Sequence, residues 1–270
     1  MQRRNFLSSS TLGALGLASA SVAPMATLLA EEPSAPRPLP GVTPKILIAG
    51  GNFNHVFIRY MATLTGKPRP RICYLPTASA DNEAGVLRWY QECAMLDITP
   101  LVQLSFISSY HQTDSWADSL LSMDAIVCSG GNTLNQQAIW KAQGMDMVLR
   151  DAWARGIVLG GASAGSLCWF EEGTTDSRPK ELSTVQCLGI LKGSHCPHYD
   201  KEAPRRPLYL KLIGSGQMKP GYAVDNDAGL YFEGSELKRV VSTHPDAKAF
   251  YVSRQGDTAV EKTLEPDQIS

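Results

Sequence analysis

Five short apolar runs, most of them closed by a turn of small residues, set the tightest limit on what this chain can fold into. They are Lys45–Ala49, Arg71–Leu75, Leu101–Phe106, Asp124–Cys128 and Ile157–Leu159. The turns are Gly50-Gly51-Asn52, Pro76-Thr77-Ala78-Ser79, Ser129-Gly130-Gly131-Asn132 and Gly160-Gly161-Ala162-Ser163-Ala164-Gly165. Short runs without polar alternation suit strands buried on both faces. Between them lie stretches with helical character: Asn54–Thr65, Glu83–Met95, Ser115–Met123, Thr133–Ala142 and Asp146–Arg155. Strand–helix alternation at this spacing implies right-handed βαβ units and a mostly parallel sheet. The expected fold class is α/β, with three layers and a mostly parallel sheet flanked by helices. Leu167 to Gly173 reads as a helix. Beyond residue 180, Gly221–Phe232, Lys238–Ser242 and Ala249–Ser253 read as shorter strands forming a meander at the sheet edge.

Composition narrows the function classes. Of 270 residues, 43% are hydrophobic and 19% charged, and the net charge is −1. This balance supports a packed core and argues against disorder. It offers no electrostatic reason to expect nucleic acid as a partner. The six cysteines are scattered without a C-x-x-C pair, which speaks against zinc or thioredoxin-type chemistry. Most of them sit in apolar context, where a buried thiol is expected. A Cys187–Cys196 disulfide is possible in an oxidising compartment but is not the expectation. No cofactor or metal is expected.

The N-terminus has its own logic. Met1-Gln2-Arg3-Arg4-Asn5-Phe6-Leu7 is basic, a weakly apolar run from Thr11 to Ala20 follows, and small residues come next. That is the layout of a signal peptide, and the run is too short to span a bilayer. The Arg-Arg pair resembles a twin-arginine export signal. Cleavage after Ala18-Ser19-Ala20 and cleavage near Ala30 both fit. The expected organisation is therefore an export signal over 1–30, a Pro- and Glu-rich linker over 31–44, and one catalytic domain over 45–270. The expected partners are the export machinery and a small peptide substrate, with no permanent membrane anchor and a periplasmic destination. Homo-oligomerisation is left open.

The turn at 160–165 carries the chemistry. Glycines around a central serine permit a tight turn that thrusts the side chain out at the carboxyl end of a strand. The N-terminus of the next helix then lies under any anion formed there. Ser163 is the candidate nucleophile. A serine hydroxyl needs a base, and the chain has five histidines: His55, His111, His195, His198 and His244. His195 and His198 lie together in a polar segment, and Pro197 favours His198. His55 follows the Gly50-Gly51-Asn52 turn and could line the same crevice. A carboxylate is expected to set the tautomer of the base. Asp176, lying between serine and histidine in the chain, is the choice, with Glu171, Glu172 and Glu181 as competitors. Ala164 and the Gly130-Gly131 turn are placed to supply oxyanion N–H groups.

Taken together, these motifs resemble the peptidase E family of serine peptidases, which includes aspartyl dipeptidase and cyanophycinase. The family carries Gly-x-Ser-Ala-Gly at the nucleophile, Gly-Gly-Asn-Thr upstream and Pro-His-aromatic downstream. Here these are Gly161–Gly165, Gly130–Thr133 and Pro197-His198-Tyr199. Ala164–Phe170, Thr175-Asp176-Ser177 and Cys196–Asp200 strengthen the likeness to a bacterial branch. The resemblance implies a fold like class I glutamine amidotransferases with serine replacing cysteine. It supports Ser163 and His198 directly and favours Asp176 as the third member. In aspartyl dipeptidases an arginine after the histidine is thought to meet an acidic side chain, which makes Arg205 and Arg206, with Asn132, the expected substrate contacts. The implied activity is cleavage of peptide amide bonds through an acyl-enzyme. Two rivals remain: an exported binding protein that kept the crevice without turnover, and a serine esterase.

Overall fold

The computed structural model describes residues 36–106 and 112–270. The expected export signal, the first linker residues and His111 lie outside the described residues. The first half alternates strand and helix: β1 (Lys45–Ala49), α1 (His55–Leu64), β2 (Arg71–Leu75), α2 (Glu83–Cys93), β3 (Thr99–Val102), α3 (Trp116–Leu120), β4 (Ala125–Cys128), α4 (Thr133–Gln143), α5 (Met145–Ala154), β5 (Val158–Ala162) and the one-turn α6 (Ala164–Leu167). The second half is mostly strand: β6 (Phe170–Thr175), β7 (Ser183–Gln186), β8 (Leu191–Cys196), α7 (Arg205–Gly214), β9 (Gly221–Val224), β10 (Ala228–Glu233), β11 (Glu236–Ser242), β12 (Ala249–Gln255), β13 (Thr258–Leu264) and β14 (Asp267–Gln268).

These strands form two sheets. The first has the order β14-β11-β10-β1-β5-β4-β2-β3. Its β1, β5, β4, β2 and β3 run parallel, and β10 joins β1 antiparallel. Side-chain alternation divides the central strands between two cores. Leu47, Ala49, Ile72, Val127 and Val158 face α1 and α2, against Phe57, Ile58, Met61 and Trp89. Ile46, Ile48, Leu75, Ile126 and Leu159 face the other way, against Trp140, Leu149 and Trp153 of α4 and α5. This part meets the α/β expectation.

The second sheet was not foreseen. Its order is β13-β12-β9-β8-β6-β7. Phe170, Leu191, Val224 and Ala249 pack it into the same core as α4 and α5, while α7 covers its other face through Tyr209 and Ile213. Three expectations are corrected here. The helix after Ser163 ends at Leu167, and Phe170–Thr175 is strand, because Phe170 pairs in register with Leu191 and Gly173 with His195. Gly221–Phe232 is two strands in different sheets, broken at Asp225-Asn226-Asp227. The later strands therefore divide between two sheets instead of forming one meander.

Close backbone approach fixes glycine at the centre. A Cβ at Gly160, on β5, would lie 2.1 Å from the Leu47 carbonyl oxygen on β1. Gly160→Ala should therefore destabilise the protein by about 1–3 kcal/mol or more, since neither backbone can yield. Chemical denaturation checks this; a loss below about 0.5 kcal/mol, the scale of an ordinary surface change, would contradict it.

Candidate active site

Ser163 follows β5 and caps α6 with φ +58° and ψ −118°. That left-handed backbone is costly for a residue with a side chain, by about 1–3 kcal/mol, and the packing around it compensates. A Cβ at Gly161 would sit 2.2 Å, and one at Gly165 2.0 Å, from the Cys128 carbonyl oxygen at the end of β4. Both glycines let the turn wrap around that carbonyl. Gly130 leaves room beside the serine: a Cβ there would lie 3.2 Å from Ser163 Cβ and 3.6 Å from its Oγ. Gly131, at φ +131°, packs instead against the Ala78 carbonyl. Ala164 is the first residue of α6, so its N–H has no partner within the helix.

His198 arrives from the other sheet, two residues after β8, also on left-handed backbone at φ +55°. Its N–H donates to the Gly50 carbonyl at 3.3 Å. Its Nε2 lies 2.8 Å from Ser163 Oγ, and its Nδ1 lies 2.7 Å from Asn226 Oδ1. Both ring nitrogens are thus engaged, one by the serine and one by a carboxamide.

Asp176 does not reach the histidine. Its side chain is 62% exposed and faces Arg205 Nη2 at 3.7 Å. The physical reason is the strand β6, which carries the chain out along the second sheet and delivers Asp176 beyond its end. Two of the competitors are engaged elsewhere, Glu171 with Lys192 and Lys219 and Glu172 with Gln186 and the Lys219 N–H, and the third, Glu181, is exposed. Asn226 takes the place next to His198. The sequence reading missed it because Gly221–Phe232 looked like one strand, although the polar Asp225-Asn226-Asp227 triplet is a turn signal.

The expected substrate contacts are corrected in the same way. Arg205 is 2% exposed and spent on structure, donating to Glu202 at 2.7 Å and to the Thr174 carbonyl at 3.0 Å. Arg206 pairs with Glu261 at 2.7 Å and stacks over Tyr199 and Phe250. Asn132 accepts from the Asn135 N–H at 2.9 Å, capping α4, and donates to the Ser177 carbonyl at 3.0 Å. His55 is exposed and meets Glu92. All six cysteines, Cys187 and Cys196 among them, are free thiols.

A cavity of about 550 Å³ adjoins the serine. Gly130, which packs beside Ser163, and Ala162, which precedes it, form part of its wall, together with residues that include Gly51, Asn54, Tyr74, Arg88, Trp89 and Glu92. Tyr74 and Trp89 stack at 5.3 Å between centroids. Glu92 accepts from the His55 N–H at 2.8 Å. Among the described residues the exposed Arg88 makes no ion pair or hydrogen bond, and it is the cation in the cavity lining.

His195 has a different role from its neighbour. It is fully buried, stacked on Phe170 at 4.9 Å, with Nδ1 3.0 Å from the Tyr222 carbonyl and Nε2 2.9 Å from Ser166 Oγ. Ser166 Oγ is also 2.8 Å from the Ser163 carbonyl oxygen. His195 thus buttresses the Ser163 turn through Ser166. Burial pushes its pKa down to about 3, opposed by the Tyr222 hydrogen bond and reinforced by the nearby Arg205 guanidinium.

A parallel sheet with flanking helices and a serine turn at its carboxyl end defines, with the relatives below, a serine-type peptidase. The chain belongs to peptidase family S51, whose model matches residues 46–240. It is 41% identical over 213 residues to the uncharacterized peptidase YgaJ of Bacillus subtilis strain 168, covering 77% of this chain and 90% of that protein. Among solved structures, a peptidase from an acI-B1 actinobacterium superposes with a TM-score of 0.67 at 15% identity, covering 85% of this chain and 98% of the other. A putative peptidase E protein from Listeria monocytogenes EGD-e gives 0.55 at 16% identity, covering 73% and 98%. At these identities the two structures speak for the fold.

The depressed His195 pKa makes a stability prediction with a definite sign. His195 is neutral in the fold down to about pH 3, while an unfolded histidine protonates near 6.5. Between those values the unfolded state binds the extra proton, so lowering pH favours unfolding by roughly 1.4 kcal/mol per pH unit from this residue. Urea denaturation of the wild type should show this slope, and His195→Gln should flatten it. Parallel pH profiles for the two proteins would contradict the assignment.

Proposed function

We propose that this peptidase is exported and cleaves amide bonds of small peptides through an acyl-enzyme, with Ser163 as nucleophile and His198 as general base. One observation carries the reading: the 2.8 Å approach of His198 Nε2 to Ser163 Oγ beside a cavity of about 550 Å³. In the first step the Ser163 oxygen bonds to the scissile carbonyl carbon while its proton passes to His198 Nε2. The resulting oxyanion is held by the Ala164 N–H and by N–H groups of the Gly130-Gly131 turn. The C–N bond then breaks, and His198 returns the proton to the departing amine. Water, deprotonated by the same histidine, releases the acyl group and restores Ser163. The cavity volume matches a small substrate. Export and a periplasmic location are supported by the Arg3-Arg4 start and the short apolar run behind it.

Covalent labelling tests the nucleophile. A fluorophosphonate should label the wild type on Ser163 and leave Ser163→Ala unmodified, and dipeptide hydrolysis should vanish with the label. A folded wild type that resists labelling would favour a binding protein without turnover. Turnover of simple esters without any dipeptide would favour an esterase.

The pocket cation gives a prediction about specificity. A guanidinium recognises carboxylate oxygens as a planar fork. Arg88→Ala should raise KM about tenfold for dipeptides with an acidic side chain, a loss of about 1.4 kcal/mol, and leave neutral dipeptides unchanged. Equal losses across all dipeptides would remove Arg88 from substrate recognition.

A further inference from the structure

We propose that Ser177 is a positioning residue for the oxyanion side of the site, clasping the Gly130-Gly131 turn in place beside Ser163 from the end of β6. The inference rests on the acyl-enzyme reading with Ser163 as nucleophile. Oxyanion donors are effective only where they are held before charge develops. The N–H groups of Gly130 and Gly131 have no partner among the described residues. Gly130 packs against the serine, where a Cβ would lie 3.2 Å from Ser163 Cβ. Two glycines give the turn no side chain with which to hold itself. Its place is set by what grips the residues on either side of it.

The grip comes from two directions. On the side of the first sheet, the Ser129 N–H donates to the Leu75 carbonyl at 3.1 Å and the Asn132 N–H to the Ala78 carbonyl at 2.8 Å. On the other side stands Ser177, in the connection between β6 and β7. Its Oγ accepts from the Leu134 N–H at 3.2 Å, and its carbonyl accepts from Asn132 Nδ2 at 3.0 Å. The first N–H groups of a helix have no partner within it. In α4 they are shared out: Asn132 Oδ1 takes the Asn135 N–H at 2.9 Å, and Ser177 takes that of Leu134. The start of α4, and with it the glycine turn, is thereby fastened to the second sheet.

Ser177 is itself fixed. The buried Thr175 places its Oγ1 2.7 Å from Ser177 Oγ and accepts the Ser177 N–H at 3.3 Å. The strand end that carries both residues is also tied to the segment bearing His198. The Thr174 carbonyl accepts from Arg205 Nη1 at 3.0 Å, Arg205 Nε donates to Glu202 at 2.7 Å, and the Glu202 N–H donates to the His198 carbonyl at 3.1 Å. Thr174 Oγ1 donates to Cys196 Sγ at 3.1 Å, two residues before the histidine. The end of β6 is therefore a crossbar with the base on one arm and the oxyanion turn on the other. That is the use of the Thr175-Asp176-Ser177 motif, whose carboxylate does not reach the histidine.

The rate of fluorophosphonate labelling of Ser163, followed across acidic to alkaline pH, tests this without knowledge of the natural substrate. Ser177→Ala should lower the plateau about tenfold, a fraction of the roughly 10²–10³ that a lost oxyanion donor costs, and leave the acidic limb where the wild type has it. Ser177→Thr keeps the hydroxyl and should stay within about threefold of wild type. A Ser177 that served stability alone would lower the urea midpoint and leave the labelling rate of the folded protein unchanged. A folded Ser177→Ala that labels within about threefold of wild type would overturn the proposal. So would a displaced acidic limb, which would put Ser177 on the histidine side, or a Ser177→Thr as slow as Ser177→Ala. If Ser177→Ala fails to fold, Ser177→Cys, with a weak sulfur acceptor in the same place, carries the same expectation and the same threshold. A wild type that is not labelled would overturn the Ser163 assignment itself, a result distinct from these.

Discussion

The carbonyl oxygen of Cys128 is the point around which the reactive end of the molecule is built. The turn from β5 into α6 folds over it so closely that a single methyl group at Gly161 or Gly165 would occupy its space. Only a chain that passes this near the tip of β4 can reverse direction in so few residues, and only then is Ser163 forced into its left-handed backbone. Such strain persists where the surroundings over-determine it. Here the surroundings are the strands β1 and β4, which flank β5 on its two edges, and a core that includes the buried Trp140 and Trp169. The stability of the sheet is thereby converted into the placement of one hydroxyl.

The second constraint is that Ser163 and His198, which meet at 2.8 Å, belong to different sheets. Ser163 stands at the end of the parallel sheet, and His198 follows a strand of the smaller mixed one. Their alignment is set by the Gly50-Gly51-Asn52 turn, which accepts from His198 and donates to Asn226. The shared core beneath, with Phe170, Leu191, Val224 and Ala249 packed against Ile46, Ile48 and Leu159, holds the two sheets in register. His195 works within this layer. A buried neutral imidazole bridges β9 and the serine turn, and a charged one could not be accommodated there.

What was legible in the sequence follows from range. The five apolar runs of the first half, four of them closed by turns, are local patterns, and short runs such as Ile46–Ala49 announce their burial directly. The serine turn and the histidine were legible for the same reason, since each is a contiguous motif. Asp176 was chosen by nearness in the chain, and nearness fails wherever a strand such as β6 carries a residue away from the site. Asn226 was hidden by an opposite effect. Gly221–Val224 and Ala228–Glu233 are both apolar and separated by only three residues, so they read as one element although they lie in two sheets. The arginines show the limit of motif transfer: Arg205 and Arg206 were charged residues at a suggestive distance, but burial and pairing decided their use. Arg88 carries no motif at all and becomes visible only as a wall of the cavity.

The passage from β9 to β10 has a mechanical meaning. In three residues the chain leaves one sheet and enters the other, and the middle residue of the three touches the imidazole. Any shear between the sheets must pull on that residue first, because it has no slack of its own. The hydrogen bond from the imidazole to the carboxamide therefore acts as a strain gauge set across the seam of the molecule.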